Sequence, residues 1–198
     1  FWGPDSEFGI MQGVWRTRVG YCGGTTSDPT YRSIGDHTEA ISIDYDPGVL
    51  SYETLLDRFW TQHRCQSNAH SRQYLHAVFS RSASQEAAAQ QSLLAHAAKL
   101  DIAPEAVATR ILPIDRFTLA ERYHQKYRIR GRGEVRRFLE ETYPEVKSFA
   151  DSTVAMRINA VIGSGTDRDW GKLLDELAQY GLPQNVETQV RGMAMGRG

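Results

Sequence analysis

Four groups of residues in this 198-residue chain have types and spacings that bear on chemistry. Phe1 and Trp2 stand beside Gly3, and the plainest use of two adjacent large aromatics is to bury area. Asp36, His37, Thr38 and Glu39 lead into an alternating apolar segment. A glutamate at a strand entrance is ordinarily a solvated carboxylate; buried among aromatics, its pKa rises and it becomes a proton donor. Both uses of Glu39 stay open at this level. His63, Cys65, His70 and His76 are ligand types, and zinc needs three or four of them converging. Their spacing matches no standard finger, so no metal is expected. Lys126, Arg128, Arg130, Arg132, Arg136 and Arg137, interleaved with Tyr127 and glycines, form a basic run that suits phosphate or RNA. With 23 Lys plus Arg against 24 Asp plus Glu, such a run reads as a solvated face, and no nucleic acid is expected.

These groups need a frame. Trp15, Thr17, Val19 and Tyr21 alternate with Arg16, Arg18 and Gly20, the period of a half-buried strand. Gly23, Gly24, Asp28 and Pro29 then break into a long turn. Ile41, Ile43 and Tyr45 predict a second strand, ended by Asp46-Pro47-Gly48. Ser51 can cap the helix whose face is Leu55, Leu56, Phe59, Trp60 and His63. A third strand is predicted over residues 74–80, a helix over 83–100 with Leu93, Leu94, Ala97 and Leu100 on one face, and a short strand over 109–113. Beyond about residue 130, Gly131 and Gly133 read as a flexible joint, and the remainder is helical. Val154, Ile158, Val161 and Ile162 fit one helix, stopped by Gly163; Trp170, Leu173, Leu174, Leu177 and Tyr180 fit another, stopped by Gly181 and Pro183. The last dozen or so residues carry no period and are expected to fray.

Hydrophobic residues make up 40% and charged residues 24%, the balance of an ordinary soluble protein. No apolar stretch approaches the ~20 residues that span a bilayer, and no export leader is visible, so no membrane is expected. Two cysteines exclude a disulfide framework, and a cytoplasmic, reducing location is the default expectation. The chain starts at Phe1 without an initiator Met, which reads as a fragment or a processed product.

Several strings stand out in order along the chain: Phe1-Trp2-Gly3, Val19-Gly20-Tyr21-Cys22-Gly23-Gly24, Asp28-Pro29-Thr30-Tyr31 and His37-Thr38-Glu39-Ala40. Tyr45-Asp46-Pro47, Leu50-Ser51-Tyr52, Leu55-Leu56-Asp57-Arg58-Phe59-Trp60, Gln73-Tyr74 and Ala120-Glu121-Arg122-Tyr123-His124-Gln125-Lys126-Tyr127 follow. In that order the first 130 residues resemble methionine sulfoxide reductase A. The resemblance implies an α+β fold, a two-layer sandwich of a mixed sheet with flanking helices over residues 1–130. Residues 131–198 form a helical C-terminal extension.

It also implies thiol-dependent reduction of the S epimer of methionine sulfoxide, free or in proteins, as repair of oxidative damage. In the family a cysteine directly precedes the Phe-Trp-Gly string at the start of a helix, where the dipole favours a thiolate. Phe1 and Trp2 would seat the substrate's S-methyl group, Glu39 would protonate the sulfoxide oxygen, and Tyr31 and Tyr74 would hydrogen-bond to it. Thioredoxin or another thiol reductant would restore the enzyme, a monomer that needs no cofactor.

The chain departs from the family pattern in three places. The nucleophile, cysteine or selenocysteine, belongs just before Phe1, together with an upstream strand; a chain without that strand is expected to fold poorly alone. The loop between His63 and Gln73 is short, and Ala69 stands where the family has a substrate-orienting Asp; the loop is either weakened there or rebuilt around Asn68, His70 or Cys65. No cysteine follows Asp151, leaving Cys22, Cys65 or an external thiol to resolve the sulfenic acid. The alternative to an enzyme is a sulfoxide-binding module that has lost its nucleophile.

Overall fold

The protein is described here by a computed structural model covering residues 1–67 and 70–196. It divides into two compact units. The first takes Phe1–Val19, Ile41–Tyr45 and Glu121 onward; the second takes Gly20–Ala40 and Asp46–Ala120.

The alternating segments are strands: β1 is Val14–Cys22 and β2 is Thr38–Tyr45. A three-residue strand that no sequence period announces, Phe117–Leu119, closes a sheet whose order is second strand, first strand, short strand. Cys22 pairs with Phe117 and Gly20 with Leu119, antiparallel. Two further strands, Ala77–Ser80 (β3) and Arg110–Pro113 (β4), pair in parallel with Val78 opposite Ile111, so the sheets are of mixed sense. The short strand at Phe117–Leu119 is β5.

In the second unit, helix α2 (Tyr52–Trp60) starts where Ser51 accepts the Thr54 N–H at 3.2 Å, a cap that contributes about 1 kcal/mol. It buries Leu55, Leu56 and Trp60. Helix α3 (Ala83–Lys99) is capped in the same way by Ser82. Its buried residues are Ala89 and Ala97, whereas Leu94 and Leu100 are about half exposed, so the face predicted from the leucines is corrected to one set by alanines. Small side chains let the helix lie close to its neighbours, and Trp60 donates across to Ser92 at 2.6 Å. The third strand is also shorter than predicted. Residues Arg72–Tyr74 form a 3-10 turn, held because the Arg72 guanidinium donates to the Asp36 and Gly23 carbonyls.

The first unit opens with helix α1 (Trp2–Gly9) and ends in α4 (Gly133–Thr142), α5 (Val146–Asp151), α6 (Thr153–Ser164), α7 (Asp167–Glu176) and α8 (Gln184–Met195). Val135, Leu139, Ile158, Trp170, Leu177 and Val190 lie in its core. The joint foreseen at Gly131 is taken up by a 3-10 turn, Tyr127–Gly131, and α4 starts two residues later. Gly163 does not stop α6, which runs one residue further to Ser164, with Gly165 as its extended C-cap. A Cβ at Gly163 would lie 2.1 Å from Ser6 Oγ, so the glycine marks where α1 and α6 touch. The expected fraying at the end is likewise corrected: α8 buries Val186 and Val190, four residues apart on one face, an apolar stripe too sparse to read as a period. Among the described residues no helix is long and apolar enough to cross a membrane.

Candidate active site

In the second unit, the loop between β1 and β2 is cross-braced by polar side chains. The Asp36 carboxylate accepts from the Thr25 N–H at 2.8 Å and the Thr25 hydroxyl at 3.0 Å. His37 is buried; its Nδ1 accepts the Gly24 N–H at 3.3 Å, which leaves Nε2 to donate to the Thr26 carbonyl at 2.9 Å. Gly23 adopts φ +74°, and a Cβ there would sit 2.6 Å from the Phe79 ring. Thr30 and Ser33 bridge each other through backbone hydrogen bonds of 3.3 and 3.1 Å, and the tight turn between them displays Tyr31.

This bracing brings three of the sequence-predicted residues together. Tyr74, at the end of the 3-10 turn, is hydrogen-bonded to Tyr31. That bond first, and the neighbouring Glu39 carboxylate second, hold the Tyr74 hydroxyl above its ordinary pKa, so it stays protonated at physiological pH. Glu39 is half-buried and accepts from the Gln73 side-chain amide at 2.8 Å. Tyr31 and Tyr74 are 37% and 51% exposed, so both side chains stand at the protein surface. One carboxyl group and two phenols at one place can donate to a single basic oxygen. In the sequence Gln73 is only half of the Gln73-Tyr74 string; its role as the donor that orients Glu39 comes from the fold.

Phe1 and Trp2 belong to the first unit, in the opening turn of α1, where the Asp5 N–H donates to the Phe1 carbonyl at 2.9 Å. Trp2 stacks on Tyr127 with ring centroids 3.6 Å apart and planes 8° from parallel. Phe1 and Trp2 also flank His124, at 5.1 and 5.5 Å. The result is an apolar aromatic plate. Gln125 anchors it by imitating a strand neighbour, accepting from the Val19 N–H at 3.1 Å and donating to the Val19 carbonyl at 2.8 Å.

The basic run is not one solvated face. Lys126 is fully buried against Asp5, while Arg136 pairs with Glu140 and Arg137 with Glu134. Of the ligand-type cluster, His63 and His76 lie with ring centroids 4.5 Å apart, and His63 Nε2 meets the Thr109 hydroxyl at 2.7 Å. Burial, then the neighbouring His76, pushes the His63 pKa down to about 4. Among the described residues no three His, Cys, Asp or Glu converge to hold a metal ion.

Cys22 and Cys65 are both buried free thiols. Burial pushes the Cys22 thiol up to about 12, so it is neutral at pH 7. Asn68 and Ala69, where a rebuilt loop was considered, lie outside the described residues.

A family model described as peptide methionine sulfoxide reductase matches residues 1–154. The chain is 40% identical over 167 residues to a peptide methionine sulfoxide reductase of Drosophila melanogaster, covering 82% of this chain and 64% of that one. It is 31% identical over 192 residues to peptide methionine sulfoxide reductase A5 of Oryza sativa subsp. japonica, covering 92% and 74%. The chain thus spans just under two thirds of the fruit-fly relative's length. Among solved structures, methionine sulfoxide reductase A of Corynebacterium diphtheriae superposes with a TM-score of 0.60 at 28% identity, over 66% of this chain and 70% of that one.

Proposed function

We propose that this chain, which belongs to the peptide methionine sulfoxide reductase family, carries out thiol-dependent reduction of the S epimer of methionine sulfoxide, free and in proteins. The observation that carries the reading is the convergence of Tyr31, Tyr74 and Glu39, with Gln73 holding the carboxyl group. A sulfoxide oxygen is a strong acceptor bearing partial negative charge. Two phenol hydroxyls polarise it and Glu39 delivers a proton, which makes the sulfur electrophilic. Phe1 and Trp2 offer an apolar surface suited to an S-methyl group and unsuited to the polar oxygen.

The nucleophile in this reading is a cysteine or selenocysteine directly before Phe1. Its thiolate attacks the sulfoxide sulfur, the oxygen passes to the enzyme as a sulfenic acid, and methionine leaves. A second thiol condenses with the sulfenic acid and releases water, and a dithiol such as thioredoxin reduces the resulting disulfide. The burial of Cys22 and Cys65 supports an external thiol as the resolving group rather than either of these two.

The test is NADPH-coupled turnover of an S-sulfoxide by the protein expressed with the coding sequence upstream of Phe1. Turnover of the S but not the R epimer is expected. An equal rate after Glu39→Gln removes Glu39 as the acid. The second reading, a sulfoxide-binding module, is favoured by the short loop between His63 and Gln73 and by Ala69 within it. It requires saturable sulfoxide binding and no turnover in that same protein.

A further inference from the structure

Helix α1 has eight residues, too few to be stable by itself, so the placement of its first turn depends on what grips it. Three of the groups that do so lie on β1, on the residues before α4, and on α6. Asp5 accepts from the Thr17 hydroxyl at 2.5 Å and Lys126 Nζ at 3.4 Å through one carboxylate oxygen. The other oxygen accepts from Asn159 Nδ2 at 2.9 Å. Asn159 is itself fixed, because its Oδ1 accepts the Arg128 N–H at 2.9 Å. Lys126 Nζ further donates to the Thr17 carbonyl at 2.6 Å. Asp5, Thr17, Lys126 and Asn159 are each 1% exposed or less, so none has water as a substitute partner. At the far end of the helix, Arg157, also on α6, donates to the Gly9 and Met11 carbonyls at 2.7 and 3.0 Å.

The network reaches both halves of the aromatic stack. Asp5 is bonded through its N–H to the Phe1 carbonyl, next to Trp2. Lys126 immediately precedes Tyr127, on which Trp2 lies. Helix α6 lies almost wholly beyond the 154 residues matched by the family model.

We propose that Asn159 and Asp5 are positioning residues: through their hydrogen bond the C-terminal helical segment sets the placement of the Phe1–Trp2 pair against His124 and Tyr127. The consequence for substrate rests on the reductase reading given above; the placement itself does not. A cation and a carboxylate sealed in the interior cost desolvation and are specific in geometry, because Asp5 has only one arrangement that satisfies all its donors. The helical extension is therefore a bed for the first turn of α1 and not an independent appendage.

The test labels the protein, expressed with its upstream sequence, with 5-fluorotryptophan and reads the tryptophan signals by fluorine NMR, Trp2 being assigned by Trp2→Phe and Trp60 by Trp60→Phe. In Asn159→Leu the Trp2 signal is expected to move while that of Trp60, in the other unit, holds. Asn159→Asp alone sets two carboxylates against each other and is expected to displace Trp2 as well. The exchange Asp5→Asn with Asn159→Asp keeps each hydrogen bond and is expected to restore the signal. In the displaced variants the dissociation constant for N-acetyl-methionine S-sulfoxide, read on the same signal, should rise roughly tenfold, about 1.4 kcal/mol. If Asn159→Leu does not fold, Asn159→Asp against the exchange decides. A Trp2 signal unmoved in a folded single variant, or an exchange displaced as far as Asn159→Asp, overturns the proposal. A parent protein whose Trp2 signal ignores added sulfoxide overturns the reductase reading instead, since the variants are compared without ligand.

Discussion

The side-chain amide of Gln73 donates to the Glu39 carboxylate at 2.8 Å, joining the 3-10 turn to the start of β2. A hydrogen bond to a carboxyl oxygen fixes the direction of the group, and the proposed chemistry needs Glu39 aimed at the sulfoxide oxygen. Removing the carboxyl group should therefore hurt more than removing its support. Glu39→Gln is expected to lower kcat/KM about 100-fold or more, and Gln73→Ala about tenfold, in steady-state assays with an S-sulfoxide. Equal losses would contradict the division of roles.

Tyr31 and Tyr74 are hydrogen-bonded to each other, so each partly compensates for the other. Tyr31→Phe and Tyr74→Phe should each reduce kcat/KM by roughly tenfold, and the double variant should differ from the product of the singles. Because its neighbours raise the Tyr74 pKa above the ordinary value, its hydroxyl remains a donor through the neutral range. No fall in rate from Tyr74 ionisation is expected below about pH 10, where an unperturbed phenol titrates.

Cys22 is buried with its thiol pushed up to about 12, and a neutral thiol is a poor nucleophile. Iodoacetamide at pH 7.5 should leave it unmodified in the native protein and label it once denaturant is added, as read by peptide mass spectrometry. Cys22→Ala should leave turnover with an external thiol within about twofold, because in the proposed cycle Cys22 has no chemical step.

His63 takes up a proton near 6.5 in the unfolded chain but only near about 4 in the native protein. Between those values the unfolded state binds more protons, so stability falls as the pH drops through that window and is fully regained above it. Tm should decline from pH 7 to pH 4.5, and His63→Gln should flatten the decline. An unchanged slope in the variant would assign the acid sensitivity elsewhere.

Gly163 lies where α1 and α6 touch, with Ser6 Oγ in the space a Cβ would fill. Gly163→Ala is expected to destabilise the chain by about 1–3 kcal/mol through overpacking, against the few tenths to 1 kcal/mol that alanine adds to an open helix site. Ser6→Gly in the same background should recover part of the loss in denaturant melts.

Much of the frame is local and was legible as such. The period-two alternation of β1 and β2 is a property of side chains a few positions apart, and the Ser51 and Ser82 caps bond within three residues. The family resemblance carried by the ordered strings likewise implied roles for Tyr31, Glu39 and Tyr74 before any geometry. The tertiary structure decided what depends on distant partners. Lys126 reads as one cation in a solvated basic run, yet it is sealed against Asp5, 121 positions away, because charge counting registers a side chain's type and not its burial. Gly163 reads as a helix stop and is a contact point, since only the neighbouring helix supplies the Ser6 side chain that excludes a Cβ. The pairing of Gln73 with Glu39 and of Asn159 with Asp5 likewise spans 34 and 154 positions. Local patterning establishes which elements form; which side chains meet follows from how the chain returns on itself.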